Sequence, residues 1–301
     1  MIELLFVSDD KYCPHLATAL MSVAASTPGP VRANIVTNNA STESRRKVAQ
    51  SVPSMELRWL GCGALEGLPR SSRGIDSISY GRLFGPRQVA NDVERLIYLD
   101  VDMLIRHDLT ELWTSDLAGS PLAAVRDAWV TWVGHPTLGI PDYQALGLVA
   151  KTPYFNAGVM VIDVRKWMEL ESETRCLEFL STQRLNRLAD QDALNAVFYE
   201  NWAQLPLRWN VFADRTQPAL IEVETSTQEV MDAQADPAIV HYAGSKKPWT
   251  AGRESDLLFL NEWQKFVTAN AFNARSQQSL GRTQRELRSR LIKAARALLG
   301  R

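Results

Sequence analysis

The stretch Arg95-Leu-Ile-Tyr-Leu-Asp-Val-Asp-Met-Leu-Ile105 decides how this chain is organised. An apolar run of this kind is typical of a strand buried in the middle of a sheet. We expect the strand to end in the carboxylates of Asp100 and Asp102. Residues two apart in an extended chain point to the same side. Two carboxylates there favour a hard divalent cation, because without one they repel each other. The alternative is a pair of solvated acids in a turn.

The segments around this strand alternate between strands and helices, which favours an α/β fold with a parallel sheet covered by helices. Before it we predict strands at Ile2–Ser8, Ala33–Thr37 and Glu56–Leu60, and helices at His15–Ser26, Thr42–Ser51 and Ile78–Val89. After it we predict strands at Gly158–Val164 and Ile239–Tyr242, and helices at Arg165–Ser181 and Gln191–Tyr199. A long irregular insertion between Ala123 and Pro153 is expected to be functional.

Composition limits the class of protein. The chain has 301 residues, of which 46% are hydrophobic and 22% charged, as in soluble globular proteins. It has no run of about 18 apolar residues, so we expect no transmembrane helix. The N-terminus is interpreted as a first strand and not as a signal peptide. The three cysteines are scattered, which indicates a reducing compartment and argues against a cysteine metal site.

Charge is distributed unevenly along the chain. The net charge is −1, but residues 277–301 carry seven basic residues and one acidic residue, so that the remainder is net acidic. Basic residues surround one predicted helical stripe of apolar residues, which consists of Leu280, Leu287, Leu291, Ala294 and Leu298. We therefore predict a globular domain at residues 1–265 and a basic amphipathic helical tail at 266–301. The tail is expected to bind an anionic membrane surface, and the alternative is a helix packed on the body or on another subunit.

Three further motifs carry polar groups at predicted element ends. In His241-Tyr-Ala-Gly-Ser-Lys-Lys-Pro-Trp249 a strand ends in an imidazole, and a lysine follows that suits a phosphate. Gly244 would allow close approach of the backbone, although a single histidine is often structural. In the segment Tyr154–Asp163, Asn156 precedes a predicted buried strand, and a simple turn is the alternative. Asp190 begins a helix, where an N-cap is the alternative.

Together these segments resemble retaining glycosyltransferase family 8. The resemblance covers Ile2 to about Trp249 and is closest to bacterial lipopolysaccharide glucosyl- and galactosyltransferases. It rests on FVSDDKY, SYGRL, RLIYLDVDMLI, YFNAGVMVIDVRKW, DQDALN, RWN and HYAGSKKPW, taken in order. It implies a GT-A, Rossmann-like fold with a mostly parallel sheet. It also implies transfer of glucose or galactose from a UDP-sugar to a saccharide or glycolipid acceptor, such as lipopolysaccharide or another cell-surface glycan.

The resemblance assigns roles to individual residues. Asp100, Asp102 and His241 would hold Mn²⁺, with Mg²⁺ as the alternative, and the metal would bridge the diphosphate. Val7 and Asp9 match positions that contact uracil and ribose. Lys11 stands where the family often has a small polar residue. The remaining positions are Val101, Gly244 and Lys247 around the diphosphate, Arg82, Asn156, Asp190 and Gln191 at the donor sugar, and Asp127, Trp129 and Trp132 toward the acceptor.

Several choices stay open at this point. Front-face transfer is favoured over a covalent intermediate, because the amide of Gln191 is a poor nucleophile. For Arg82 the alternative is a solvent-facing charge on a helix. For Trp129 and Trp132 the alternative is that they pack a lid onto the body. Two alternatives to a glycosyltransferase are a catalytically silent nucleotide-sugar-binding protein and a haloacid-dehalogenase-like phosphatase. We expect a cytoplasmic protein, peripheral at the inner face of the membrane, without a nucleic-acid partner.

Overall fold

A computed structural model describes residues 1–62, 77–182, 187–214, 226–252 and 255–273. Within these residues a seven-stranded sheet has the order β3-β2-β1-β4-β7-β6-β8. Its strands are β1 (Ile2–Val7), β2 (Val31–Thr37), β3 (Glu56–Gly61), β4 (Arg95–Leu99), β6 (Leu122–Arg126), β7 (Phe155–Asp163) and β8 (Ala203–Gln204). A second sheet has the order β5-β10-β9, formed by β5 (Met103–Ile105), β9 (Val211–Phe212) and β10 (Ile239–His241).

The large sheet is mostly parallel. Strands β1 to β4 run parallel where they pair, and β6 pairs in parallel with β8. Strand β7 lies between β4 and β6 and is antiparallel to both. Parallel strands bring their carboxyl ends to one edge, and open sheets of this kind bind ligands at that edge. The predicted α/β fold with a mostly parallel sheet is confirmed.

Helices cover the sheet, and the core lies on both of its faces. Along β1, Leu4 and Phe6 are buried in one apolar cluster, and Leu5 and Val7 are buried in another. Alternate residues of a strand face opposite sides of the sheet. Because helices cover both sides, β1 is apolar at successive positions. The helices are α1 (Cys13–Ser26), α2 (Thr42–Ser51), α3 (Gly81–Val89), α4 (Thr110–Trp113), α5 (Val164–Glu169), α6 (Ser172–Thr182), α7 (Asp190–Val197), α8 (Thr227–Ala235) and α9 (Leu260–Ala269).

The central segment is not one extended strand. Strand β4 ends at Leu99, the chain bends through Val101 and Asp102, and β5 begins at Met103 in the other sheet. The expectation that Asp100 and Asp102 share a side because the chain is extended is therefore wrong. A bend, and not strand alternation, brings the two carboxylates together.

The prediction of one continuous helix at Arg165–Ser181 is also wrong. It is two helices, α5 and α6, and Glu171 between them has a φ of 49°. A left-handed residue cannot continue an α-helix, so the chain turns there.

The C-terminal predictions have different outcomes. Helix α9 continues across the predicted boundary at residue 265, and Asn270 at its end donates to Thr18 Oγ1 of α1 at 3.1 Å. Of the amphipathic tail predicted at 266–301, residues 274–301, on which the expected membrane contact depends, lie outside the described residues. Among the described residues, no helix is long and apolar enough to cross a membrane.

Candidate active site

Two aspartates and a histidine converge at the carboxyl end of β4. Asp100 follows the last residue of β4, Asp102 lies in the bend before β5, and His241 ends β10. Antiparallel pairing of β10 with β5 sets His241 opposite Met103. One ligand atom from each of the three residues lies within 4.8 Å of the other two. His241 Nε2 is 3.4 Å from Asp102 Oδ1 and 3.7 Å from Asp100 Oδ2.

Lys247 adds a positive charge on the other side of Asp102. Its Nζ forms an ion pair with Asp102 Oδ2 and donates to the carbonyl of Tyr242 at 2.9 Å. Burial alone would raise the pKa of the Asp102 carboxyl, but Lys247 and His241 outweigh burial and hold it below its usual range. Asp102 is therefore an anion in this arrangement.

Arg82 joins the metal-ligand cluster to a second buried carboxylate. Its Nη2 donates to Asp100 Oδ1 at 3.1 Å, and its Nε lies 2.6 Å from Asp190 Oδ2. Tyr98, two residues before Asp100 on β4, donates its hydroxyl to Asp100 Oδ1 at 2.6 Å. The ring of Tyr98 also lies under the Arg82 guanidinium, 4.7 Å away. The alternative of a solvent-facing charge at Arg82 is wrong, because the side chain is buried between two acids.

Asp190 is not a helix cap either. It is the first residue of α7, follows Ala189 at the N-cap, and is 2% exposed. Its Oδ1 accepts from Ser79 Oγ at 2.7 Å. Burial raises the pKa of Asp190, and the nearby charge of Arg82 opposes that rise. The side chain thus serves the buried cluster and not the helix terminus.

A network of amides and a carboxylate lies beside these charges. Asn156 Nδ2 donates to Asp127 Oδ2 at 2.8 Å and to Gln191 Oε1 at 3.1 Å. Gln191 Nε2 donates to the same oxygen of Asp127 at 3.1 Å, and its Oε1 also accepts from the backbone of Ala157 at 2.9 Å. Asn156 and Gln191, two of the residues predicted at the donor sugar, are therefore in contact with each other and with Asp127, which was predicted to face the acceptor.

The cluster suits a divalent cation in its chemistry and its space. Two carboxylate oxygens and an imidazole nitrogen are a donor set for Mn²⁺ and related ions. Gly158 on β7 keeps room beneath them, since a Cβ there would lie 2.5 Å from His241 Cε1 and 3.0 Å from Asp100 Oδ2. The residues present therefore fit the expected metal.

Val7, Asp9, Lys11 and Val101 are the remaining residues that were predicted to contact the nucleotide. Val7 is buried at the end of β1, Asp9 Oδ1 accepts from the backbone of Tyr12 at 2.8 Å, and Lys11 is exposed. Val101 is buried in the bend. Their nucleotide role stays a prediction.

Trp129 and Trp132, the two tryptophans predicted to contact the acceptor, pack against other side chains of the domain. Trp129 lies edge-on to Phe212 at 4.6 Å and against Gly244, where an added Cβ would be 2.7 Å from its ring. Gly244 has a φ of 74°, a second reason why a side chain would be strained there. Trp132 stacks on the Arg126 guanidinium at 4.4 Å. These contacts describe a lid packed on the body, and a role in acceptor stacking stays a prediction.

Sequence reasoning missed some residues of this site. Tyr98 could have been found, because it lies two positions before Asp100 on one strand and so shares a face with its end. Asn210 belongs to the quoted RWN motif but received no role, although it contacts both His241 and Asn156. Ser79 offered no signal, because its contact with Asp190 joins residues 111 positions apart.

The sequence profile of the family described as Glycosyl transferase family 8 matches residues 3–252. The chain belongs to glycosyltransferase family 8. This membership confirms the resemblance, and it makes the haloacid-dehalogenase-like alternative wrong.

Relatives and solved structures agree with the family. General stress protein A of Bacillus subtilis (strain 168) is 27% identical over 266 residues, which cover 83% of this chain and 88% of that protein. Lipopolysaccharide 1,2-glucosyltransferase of Escherichia coli (strain K12) is 27% identical over 171 residues, 56% of this chain and 48% of that protein. An active-site glutamine-to-glutamate mutant of LgtC superposes with a TM-score of 0.74 at 25% identity, over 89% of this chain and 96% of LgtC. The galactosyltransferase LgtC bound to donor and acceptor sugar analogues gives a TM-score of 0.71 at the same identity and coverage. The expected GT-A fold is thereby confirmed.

Proposed function

We propose that this family 8 glycosyltransferase moves a hexose, glucose or galactose, from a UDP-sugar to a saccharide acceptor, with retention of configuration and with Mn²⁺ at the diphosphate. The observation that carries the proposal is the cluster of Asp100, Asp102 and His241, with Lys247 beside it. The imidazole favours Mn²⁺ over Mg²⁺ on ligand softness. A cation held there would stabilise the charge that develops on the diphosphate as the bond to the sugar breaks.

The chain's own charges suit an anionic leaving group. Lys247 forms an ion pair with Asp102. With a divalent cation held by the cluster, the same ammonium would be available to neutralise a phosphate of the donor. Arg82 has a structural role instead. Asp190 holds its guanidinium in place, and the guanidinium in turn orients Asp100.

Front-face transfer is part of the proposal. The acceptor oxygen bonds to C1 of the sugar on the face from which the diphosphate departs, and a phosphate oxygen takes the acceptor's proton. Both candidate nucleophiles are already engaged: Asp190 by Arg82 and Ser79, and Gln191 by hydrogen bonds at both ends of its amide. Neither presents a free carboxylate to C1. Trapping of a covalent sugar on either side chain would refute this step.

Lipopolysaccharide or another cell-surface glycan is the proposed acceptor class. The similarity to the Escherichia coli lipopolysaccharide glucosyltransferase supports it, and so does LgtC, whose complex holds an acceptor sugar analogue. A cytoplasmic location belongs to the same proposal, since Cys13, Cys62 and Cys176 are free thiols. A catalytically silent nucleotide-sugar-binding protein is the competing function.

Release of UDP from a panel of UDP-sugars tests the proposal. We expect release that requires Mn²⁺ and stops on chelation. Asp102→Asn should lower the rate by at least about 100-fold, because a transition-state charge loses its stabiliser. Asp232→Asn, an exposed carboxylate on α8, is the matched control and should keep the wild-type rate. Release without a metal, or a wild-type rate in Asp102→Asn, would contradict the metal role, and no release from any UDP-sugar would favour the silent protein.

A further inference from the structure

Asn210 lies behind the metal-ligand cluster. It follows a 3₁₀ turn at Leu207–Trp209 and immediately precedes β9. Strand β9 pairs in parallel with β10, with Phe212 opposite His241, and Asn210 lies two residues before Phe212. It is 5% exposed, so its amide cannot rely on water. Its Oδ1 is 2.9 Å from His241 Nδ1, and its Nδ2 donates to Asn156 Oδ1 at 2.8 Å.

The direction of these hydrogen bonds follows from neighbours whose roles are fixed. The backbone N–H of Gly158 can only donate, and it contacts Asn156 Oδ1 at 3.0 Å. The carboxylate of Asp127 accepts from Asn156 Nδ2 at 2.8 Å. These two contacts fix the orientation of the Asn156 amide. Asn210 must then offer Nδ2 to Asn156 and Oδ1 to His241. A carbonyl oxygen only accepts, so Nδ1 of His241 carries the hydrogen.

We propose that Asn210 is a positioning residue for the metal centre, which holds His241 in the Nδ1–H form and so turns its Nε2 lone pair toward Asp100 and Asp102. An imidazole ligand needs a partner for its other nitrogen, which fixes ring orientation and tautomer. The inference rests on the proposed function in one respect, namely that the cluster holds a divalent cation. The tautomer itself is a property of the metal-free chain.

The same amide connects the metal centre to the sugar side. Its Nδ2 is bonded to Asn156, which contacts Gln191 and Asp127. The two ends of the amide therefore have separable tasks. Asn210→Asp keeps an acceptor for His241 but sets an oxygen against the oxygen of Asn156. Asn210→Leu removes both contacts at similar volume.

The tautomer is measured by ¹⁵N NMR of histidine-labelled full-length protein without metal, at a pH above which the histidine signals no longer change. The chain has four histidines, so His241 is assigned by the signal lost in His241→Gln. Affinity for Mn²⁺ alone is measured by the loss of the free-ion electron paramagnetic resonance signal. Asn34→Leu removes another fully buried amide, on β2, and serves as the matched control.

We expect the Nδ1–H form in the wild type, in Asn210→Asp and in Asn34→Leu. Asn210→Leu should lose that preference and bind Mn²⁺ about 10- to 100-fold more weakly, the usual cost of removing such a partner. Asn210→Asp should bind Mn²⁺ at least as tightly as wild type, because its carboxylate still accepts from His241, but should release UDP more slowly, because its contact with Asn156 is broken. If Asn210→Leu does not fold, Asn210→Ser, which is too short to reach His241, replaces it.

Three results would overturn the inference: a wild-type His241 with hydrogen on Nε2, an unchanged tautomer and affinity in Asn210→Leu, or equal losses of affinity in Asn210→Asp and Asn210→Leu. A wild-type protein that binds no Mn²⁺ would instead contradict the proposed function. In that case the tautomer of His241 in the metal-free protein still decides whether Asn210 positions it.

Discussion

Gly158→Ala adds a single methyl group beneath the metal-ligand cluster. The new Cβ would lie 2.5 Å from His241 Cε1, 2.9 Å from Asn156 Oδ1 and 3.0 Å from Asp100 Oδ2. Carbon atoms in contact are normally about 3.5–4.0 Å apart, so the imidazole must retreat by about 1 Å. Ligand distances at a metal tolerate about 0.2 Å. We therefore expect Mn²⁺ to bind about 10- to 100-fold more weakly, in line with the loss of a ligand's support.

The same substitution should not weaken the backbone. Gly158 lies within β7 and is not among the glycines with positive φ. Alanine in such a position is favoured over glycine by about 0.5–1 kcal/mol, because glycine loses more conformational freedom on folding. Gly61→Ala is the matched control, since a Cβ at that end of β3 meets nothing within 4 Å.

Mn²⁺ titration of UDP release, paired with thermal unfolding of the metal-free protein, separates these effects. We expect Gly158→Ala to need more Mn²⁺ for half-maximal rate while its metal-free melting temperature stays within a few degrees of wild type. Gly61→Ala should match wild type in both. Wild-type Mn²⁺ dependence in a folded Gly158→Ala would refute the close approach of Gly158 to the ligands.

Two further predictions concern buried charges. Arg82→Met leaves the carboxylates of Asp100 and Asp190 without their cation, so the free energy of unfolding in urea should fall by about 3–5 kcal/mol; a loss below about 1 kcal/mol, the value of an exposed pair, would contradict its buried role. Burial raises the pKa of Asp192 from 3.8 to about 6. Between these two pH values the folded protein holds a proton that the unfolded chain has lost, so the free energy of unfolding falls as the pH rises. Asp192→Asn, whose amide still bonds Tyr154 and the backbone, should flatten that pH dependence, and an unchanged slope in urea unfolding would show that another group titrates.

The sequence carried the positions of the main strands and the chemistry at their ends, because both depend on local patterns. Apolar runs located β1 and β4, and the acids after Leu99 marked the edge where ligands bind. The bend through Val101 was not predictable from alternation, because it is set by the second sheet. Pairing of β5 with β10, separated by more than 130 residues, pulls Met103 out of the first sheet.

The partners of the site residues were harder to predict than the residues themselves. Arg82 lies on a helix whose sequence gives no sign of burial, and its two acidic partners come from distant elements. Asn210 is one asparagine in a short turn, and its role depends on two neighbours fixed by strand pairing. Such contacts join residues far apart in the chain, so neither propensity nor spacing reveals them.

The binding of a metal by Asp100, Asp102 and His241 is the central claim, and anomalous diffraction tests it most directly. Crystals of the full chain grown with Mn²⁺ and UDP would be measured at a wavelength where manganese scatters anomalously. We expect one peak bonded to all three side chains and to oxygens of both phosphates. A peak at another site, or UDP bound with no manganese between these residues and its diphosphate, would contradict the claim.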